Sequence, residues 1–406
     1  LTSTSPAWSR LLRRELLVLY VVIFLADTTV GYILPLFPLL AKQLGASLTL
    51  IGSLTAINGG TQVLVAVPLG MISDRVGRRR LITFGSVCFA VTAMLLALAP
   101  SPALLVPAQL LLGVGTVATF YVAAALVGDY SAPADRGLAM GCLTTAMGLG
   151  FAAGPFLGGL ASERMGIQNS LYVVMAIALL AFVLSWLFLT DVPGLRSSGA
   201  ATTARRNPLH ELGMLTSNRA ILLAALAHLL LSPIFNGVVL SLVPIKAEAI
   251  GFSALTIGTL YTVRALSSTA TRLPIGALST PRWSHRLMLL ALILGGCALA
   301  VIAVSTSPLV FYVALAVEGI SYGMFLTAGQ AFVTQYAPME QRGAALGAYN
   351  MAGGIGAAVS PLVLGIVADA AGLDVSFWAT ALLAVSGALI LLQFFERTTR
   401  QLQPQA

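Results

Sequence analysis

The chain has 406 residues, 58% hydrophobic and only 9% charged, with a formal net charge of +8. A soluble protein of this size covers itself with roughly 25% charged residues, so a water-facing globular domain is excluded and most of the surface must face lipid. The positive balance does not point to nucleic acid either, because the basic residues gather at the ends of apolar runs.

A span needs about 20 mostly apolar residues, and a backbone in lipid must satisfy its own hydrogen bonds, which makes it helical. Runs bounded by charges, Pro, Gly or Asn fall at 17–40, 49–72, 81–100, 103–127, 138–162, 170–190, 219–245, 253–277, 287–306, 308–332, 344–368 and 374–395, which predicts twelve helices. Seventeen of the 22 Lys and Arg residues flank these runs on one side, and only Lys42, Arg164 and Lys246 lie on the other. That bias predicts cytoplasmic termini and a multi-pass protein of the cell membrane, expected to be a bacterial inner (plasma) membrane. The three cysteines form no spacing motif and predict neither a disulfide framework nor a metal site. The first run is followed by further spans, not by a small-residue cleavage site, so no removable signal peptide is expected.

Helix 1 carries Asp27 about halfway along. An ionised carboxylate at that depth costs at least about 2.5–3.5 kcal/mol, so it must be paired, hydrated or protonated. Asp27 is therefore expected to bind a coupling proton or a cationic solute group, with a fixed ion pair as the plain alternative. Helix 2 contributes Asn58 and Gln62, and helix 4 contributes Gln109, Phe120 and Tyr121. Helix 5 is rich in glycine around Pro155, and helix 6 is almost wholly apolar. Residues 191–218, with Pro193, Gly194 and several Arg and Ser, read as a cytoplasmic linker between a bundle at 1–190 and a second at 219–406. Helix 7 holds His228 and Asn236. Helix 8 holds Tyr261, Arg264 at mid-depth and Arg272 nearer the basic side, where it is expected to snorkel to water. Helix 10 carries Glu318, Tyr322 and Phe325, and helix 11 carries Asn350. Arg264 either neutralises Asp27 or Glu318 or binds an anionic solute; the sequence leaves these open. Helices 3, 6, 9 and 12 have almost nothing polar beyond Ser and Thr, so they are expected to be the outer ones.

A constant offset of 206 residues relates the halves: Gly45 with Gly251, Ile51-Gly52 with Ile257-Gly258, Pro68 with Pro274, Gly113 with Gly319, Gly148 with Gly354, and Pro155 with Pro361. Apolar bias alone does not align Gly and Pro in this way. Six helices are duplicated, and an even number keeps both copies in one orientation. The predicted fold is an all-α membrane protein of two six-helix bundles, related by a pseudo-two-fold axis along the membrane normal. The solute site is expected between them.

Between helices 2 and 3 the chain reads Gly-Met-Ile-Ser-Asp-Arg-Val-Gly-Arg-Arg-Arg at 70–80. This resembles the hallmark loop of the major facilitator superfamily, and the duplicated layout extends the resemblance over essentially the whole chain. The resemblance implies that Gly70, Asp74, Arg75, Gly77, Arg78 and Arg79, with Asp129 as acidic partner, form a charge network that latches the halves and acts as a conformational switch. Gly150, Gly154, Pro155, Gly158 and Gly159 resemble the helix-5 motif of its drug:proton antiporters; close packing between the halves is the other reading. A departure stands in helix 4, where Gln109 and Leu112 precede Gly113 in place of that branch's usual Arg and Gln.

These readings predict a secondary transporter working by alternating access: proton-coupled export of small amphipathic organic molecules such as drugs. Asp27 and Glu318 are the expected proton sites. Asp27, Tyr32, Asn58, Gln109, Tyr121, His228, Asn236, Arg264, Glu318, Tyr322 and Asn350 are the expected solute contacts. The alternative keeps the architecture and gives Arg264 a lysolipid, metabolite or other organic anion, and a non-transporting receptor is the remote one. No nucleophile–base set, nucleotide loop or metal cluster appears, so no enzyme, cofactor or metal is expected. The expected partners are solute, protons and membrane lipid, without nucleic acid, and the chain is expected to be a monomer.

Overall fold

The computed structural model describes residues 14–131, 135–191 and 218–402, apart from the side chains of Asp74, Glu340, Arg397, Thr399 and residues 400–402. Each of the twelve predicted runs is a helix: α1 Arg14–Gln43, α2 Leu48–Val76, α3 Arg78–Ala97, α4 Pro102–Tyr130, α5 Arg136–Met165 and α6 Ile167–Phe188 in the first half. The second half has α7 Arg219–Ala249, α8 Ala254–Leu278, α9 Ser284–Val304, α10 Pro308–Tyr336, α11 Arg342–Ala371 and α12 Leu373–Leu402. Most of the expected linker, residues 192–217, lies outside the described residues.

Eleven of these helices are long and apolar enough to cross a bilayer, and α8 is the exception. Arg264, Arg272 and a run of Ser and Thr lower its hydropathy. It is tolerated because α8 packs against α5 on one side and α10 on the other, which spares its polar groups from lipid.

Each half is a bundle, with α1 on α5, α3 on α6 and α2 on α4 in the first, and α8 on α10, α9 on α12 and α7 on α11 in the second. The main cross-half packing is α5 against α8 and α2 against α11. The outer helices present large exposed apolar side chains, such as Phe84 on α3, Leu187 on α6, Val301 on α9 and Leu382 on α12.

Local geometry repeats with the sequence. Gly45 and Gly251 turn the chain at φ 86° and 91°, and Gly166 and Gly372 do so at 82° and 99°. A side chain is disfavoured there, which fixes glycine at the same four bends. Ser47 and Ser253 then cap α2 and α8, each hydroxyl accepting from a backbone N–H three residues on, at 3.2 Å. Two π-helical stretches, Val117–Tyr121 in α4 and Pro233–Val239 in α7, break this regularity. Each locally rotates the helix face.

Candidate functional site

Three rungs build each seam between the halves, and every rung has a counterpart 206 residues away. A Cβ on Gly159 would strike the backbone of Ala254, and one on Gly365 the backbone of Leu48. A Cβ on Gly258 would strike the Pro155 carbonyl, and one on Gly52 the Pro361 carbonyl. Gly148 meets the Thr269 side chain, and Gly354 meets Val63. The glycines of α5 therefore serve two faces. Gly150 and Gly154 accept the backbone of α1 at Phe24–Thr28 and Thr28–Tyr32, and Gly158 accepts the Tyr32 side chain; Gly148, Pro155 and Gly159 meet α8.

At the end remote from the termini, two acidic residues clasp the seams. Glu163 of α5 accepts from the Ser253 hydroxyl (3.0 Å) and the Leu255 N–H (3.2 Å) at the start of α8. Its repeat mate Asp369 of α11 accepts from the N–H groups of Leu48 (3.1 Å) and Thr49 (2.7 Å) at the start of α2. Lys42 and Glu248, also repeat mates, pair at 2.9 Å. A carboxylate at a helix N-terminus is worth about 0.3–1 kcal/mol and an exposed ion pair about 0–1 kcal/mol. A clasp of this strength holds a closed end and still lets it open.

Toward the termini the same faces part. Beyond the last rungs Val67 is exposed and Gly70 meets nothing; Leu273 is 87% exposed; Thr144, Thr145 and Gly141 are open; so is Asn350. The result is a cleft between the halves, closed at one end and open at the other.

Asp27 stands at the head of this cleft. It is 7% exposed, yet among the described residues it has no hydrogen bond or ion pair. The positive charge of Arg272 on α8 acts on it electrostatically. Arg272 is half-buried, and its Nε is sealed from solvent without a hydrogen-bond partner among the described residues. Tyr121, on the π-helical stretch of α4, is 59% exposed. Tyr322 of α10 packs on Phe235, with ring centroids 4.3 Å apart.

Arg264 is engaged by Glu318. Its Nε donates to Oε2 and its Nη2 donates to Oε1 at 3.2 Å, with the two side chains 1% and 0% exposed. Phe235 and Tyr322 cover the guanidinium, with ring centroids 4.4 and 5.0 Å from Cζ. Gly319 lets α10 reach the Arg264 backbone, as Gly113 lets α4 reach Asn58. Of the alternatives the sequence left open for Arg264, the structure shows the pairing with Glu318, with both side chains buried.

Other expected contacts sit in the walls. Tyr32 does not reach the cleft: it is 0% exposed and donates to the Ser170 carbonyl of α6 at 2.7 Å. Phe120, Tyr261 and Phe325 are likewise buried within their bundles. His228 stacks on Tyr349 with centroids 4.4 Å apart, and its Nδ1 lies 3.0 Å from the Tyr349 carbonyl. Asn58 donates to the Gln109 carbonyl (3.3 Å) and accepts from Gln62 (2.8 Å), while the Gln109 side chain is buried. Asn236 is half-buried on the π-helical stretch of α7.

The loop between α2 and α3 is tied within the first half. Arg78 pairs with Asp129 of α4, and Arg79 donates its backbone N–H to Asp191 at 2.9 Å and its guanidinium to the Trp186 carbonyl of α6. The Arg78–Asp129 ion pair thus lies within one half. Gly70 is open, Arg75 is exposed, and the side chain of Asp74 lies outside the described residues. Asp191 is the residue the sequence reading missed, being counted as linker. Gly77 adopts φ 104°, and a Cβ there would also press on the Asp191 carboxylate. Gly77→Ala is expected to cost about 1–3 kcal/mol, read as a lower melting temperature in detergent; an unchanged melting temperature would refute this strain.

Comparison with known proteins gives a consistent outcome. The family model described as Major Facilitator Superfamily matches residues 19–253 and 229–406. An uncharacterised MFS-type transporter of Methanocaldococcus jannaschii is 24% identical over 181 residues, 45% of this chain and 47% of that protein. The quinolone resistance protein NorA of Staphylococcus aureus is 24% identical over 188 residues, 46% of this chain and 48% of NorA. The chain thus spans about half the length of the curated relatives it matches. The crystal structure of the nucleoside transporter NupG superposes with a TM-score of 0.83 at 15% identity, covering 94% of this chain and all (100%) of that one. That likeness speaks of the fold.

Proposed function

Because the chain belongs to the Major Facilitator Superfamily, we propose that it exports small amphipathic organic molecules by alternating access, in exchange for protons. It is a multi-pass membrane transporter of small molecules and not an enzyme; the cargo class, direction and coupling are what is proposed. With the basic side in the cytoplasm of a bacterial inner membrane, the cleft opens inward and the clasped end faces out.

The observation that carries the reading is Asp27: a carboxylate 7% exposed, without an ion pair among the described residues, at the head of a cleft bounded by two equivalent seams. Glu318 is already neutralised by Arg264, which leaves Asp27 as the acid free to exchange a proton for a cationic group. It cannot hold both at once, and that competition is what an antiporter needs. The NorA relative is named for quinolone resistance, which favours an amphipathic cargo. The organic-anion alternative loses its anchor, since Arg264 is 1% exposed and bound.

Reconstituted vesicles test this. An imposed proton gradient should drive accumulation of a lipophilic fluorescent cation by the native protein. Asp27→Asn should reduce that flux to the level of protein-free vesicles while leaving the melting temperature close to native. Proton-driven flux unaltered by Asp27→Asn would remove Asp27 from the mechanism.

A further inference from the structure

Two opposite charges, one from each half, have no ion pair among the described residues. Asp27 comes from α1, 93% withdrawn from solvent on its 7% exposure and free of any ion pair among the described residues. Arg272 comes from α8, three residues beyond the Thr269 that meets Gly148; it is half-buried, and its Nε is sealed from solvent with nothing to donate to among the described residues. Arg264 and Glu318, buried in the second bundle, cancel each other. The set is neutral overall, but two of its members are unsatisfied.

We propose that the cleft is built for a small zwitterion: a solute with an apolar, preferably aromatic, body that carries an ammonium for Asp27 and a carboxylate-like group for Arg272. This rests on the transport reading and deepens it. A solute bearing only a cation would satisfy Asp27 and leave the guanidinium unmatched; one bearing only an anion would do the reverse. A buried group left unpaired carries its full desolvation penalty. A zwitterion meets both without bringing net charge into a region of low dielectric. A guanidinium also suits the planar carboxylate, which it can bind through two N–H groups. The aromatic body has a surface in Tyr121, 59% exposed on α4. Because Asp27 and Arg272 belong to different halves, one solute that holds both also ties the halves together. Occupancy and closure are thereby linked.

Four fluorescent probes on one scaffold separate the charges. Nε-dansyl-lysine is zwitterionic, its methyl ester is cationic, its Nα-acetyl derivative is anionic, and the acetylated ester is neutral. Binding to the purified, full-length protein is read from dansyl fluorescence. The native protein is expected to bind the zwitterion about tenfold or more tightly than either singly charged probe. Arg272→Gln should bring zwitterion and cation to parity, and Asp27→Asn should bring zwitterion and anion to parity. Equal affinity for all four probes, or variants that weaken all four alike, would overturn the proposal; the second pattern would mean that the two residues only shape the cleft or pair with each other. The native order alone decides the matter where a variant does not fold, and Arg272→Lys, which keeps the charge, should retain a preference for the zwitterion. The same probes are followed across reconstituted vesicles. Transport without charge preference sinks this proposal and leaves the transport reading standing, whereas no transport of any probe sinks both.

Discussion

Replacing Gly258 by leucine is expected to abolish transport while leaving a folded protein. Any side chain there meets the Pro155 carbonyl, and its Cβ would sit 3.1 Å from the Gly159 Cα. Both are backbone atoms on a helix packed against α1, so neither yields as a flexible side chain would. Overpacking of this kind costs about 1–3 kcal/mol. The cost falls only on the state in which α5 and α8 touch at this end, and the opposite state escapes it. At about 3 kcal/mol the balance between the two states moves by roughly a hundredfold, enough to strand the protein with its clasped end open. Gly52→Leu should do the same through Pro361 and α11. A cross-link between cysteines at positions 42 and 248, in a background without Cys88, Cys142 and Cys297, reads the closure directly. It should form readily in the parent and be lost in either leucine variant. Unchanged cross-linking and flux would show that the seams can part without consequence.

Arg264→Met and Glu318→Gln should each destabilise the protein by about 3–5 kcal/mol, because each leaves its partner charged and unpaired in the interior. The pair is 1% and 0% exposed, and aromatic rings cover the guanidinium where water would otherwise stand. Replacing both at once should recover most of the loss, since two buried charges also carry a large desolvation cost. Thermal unfolding in detergent of the two single variants and the double variant forms the test. A double variant as unstable as the sum of the singles would mean that the two groups act independently. That would contradict the hydrogen bonds between them.

The helices were legible because apolar runs ended at charges and glycines, and the offset of 206 residues carried α8 through although its own composition falls short of a lipid span. The outer position of α3, α6, α9 and α12 was legible from their lack of polar groups. Facing direction was harder to read. In a soluble helix the polar face marks the outside, but here lipid and protein interior are both apolar and the periodicity fades. Tyr32 therefore looked like a cleft residue and turned out to face α6. No sequence signal marked the Arg272 Nε as a buried donor without a partner among the described residues. No sequence signal marked the π-helical stretch that presents Tyr121. Glycines announced close approach, yet could not say that α5 offers Gly150 and Gly154 to one neighbour and Gly148 and Gly159 to another. Asp191 was hidden for a related reason, since its role depends on the bend at Gly77 far away in the chain.

The last rungs, Gly148 on Thr269 and Gly354 on Val63, sit where the halves begin to separate, so a line through them serves as a fulcrum. From Gly148 to the start of α5 at Arg136 the lever arm is about 18 Å at 1.5 Å per residue. The stretch of α1 that carries Asp27, between Phe24 and Thr28, lies against Gly150, within one turn of that line. A tilt that swings the helix tips widely thus barely displaces the carboxylate, and cargo preference can be retuned at the pivot without altering the stroke.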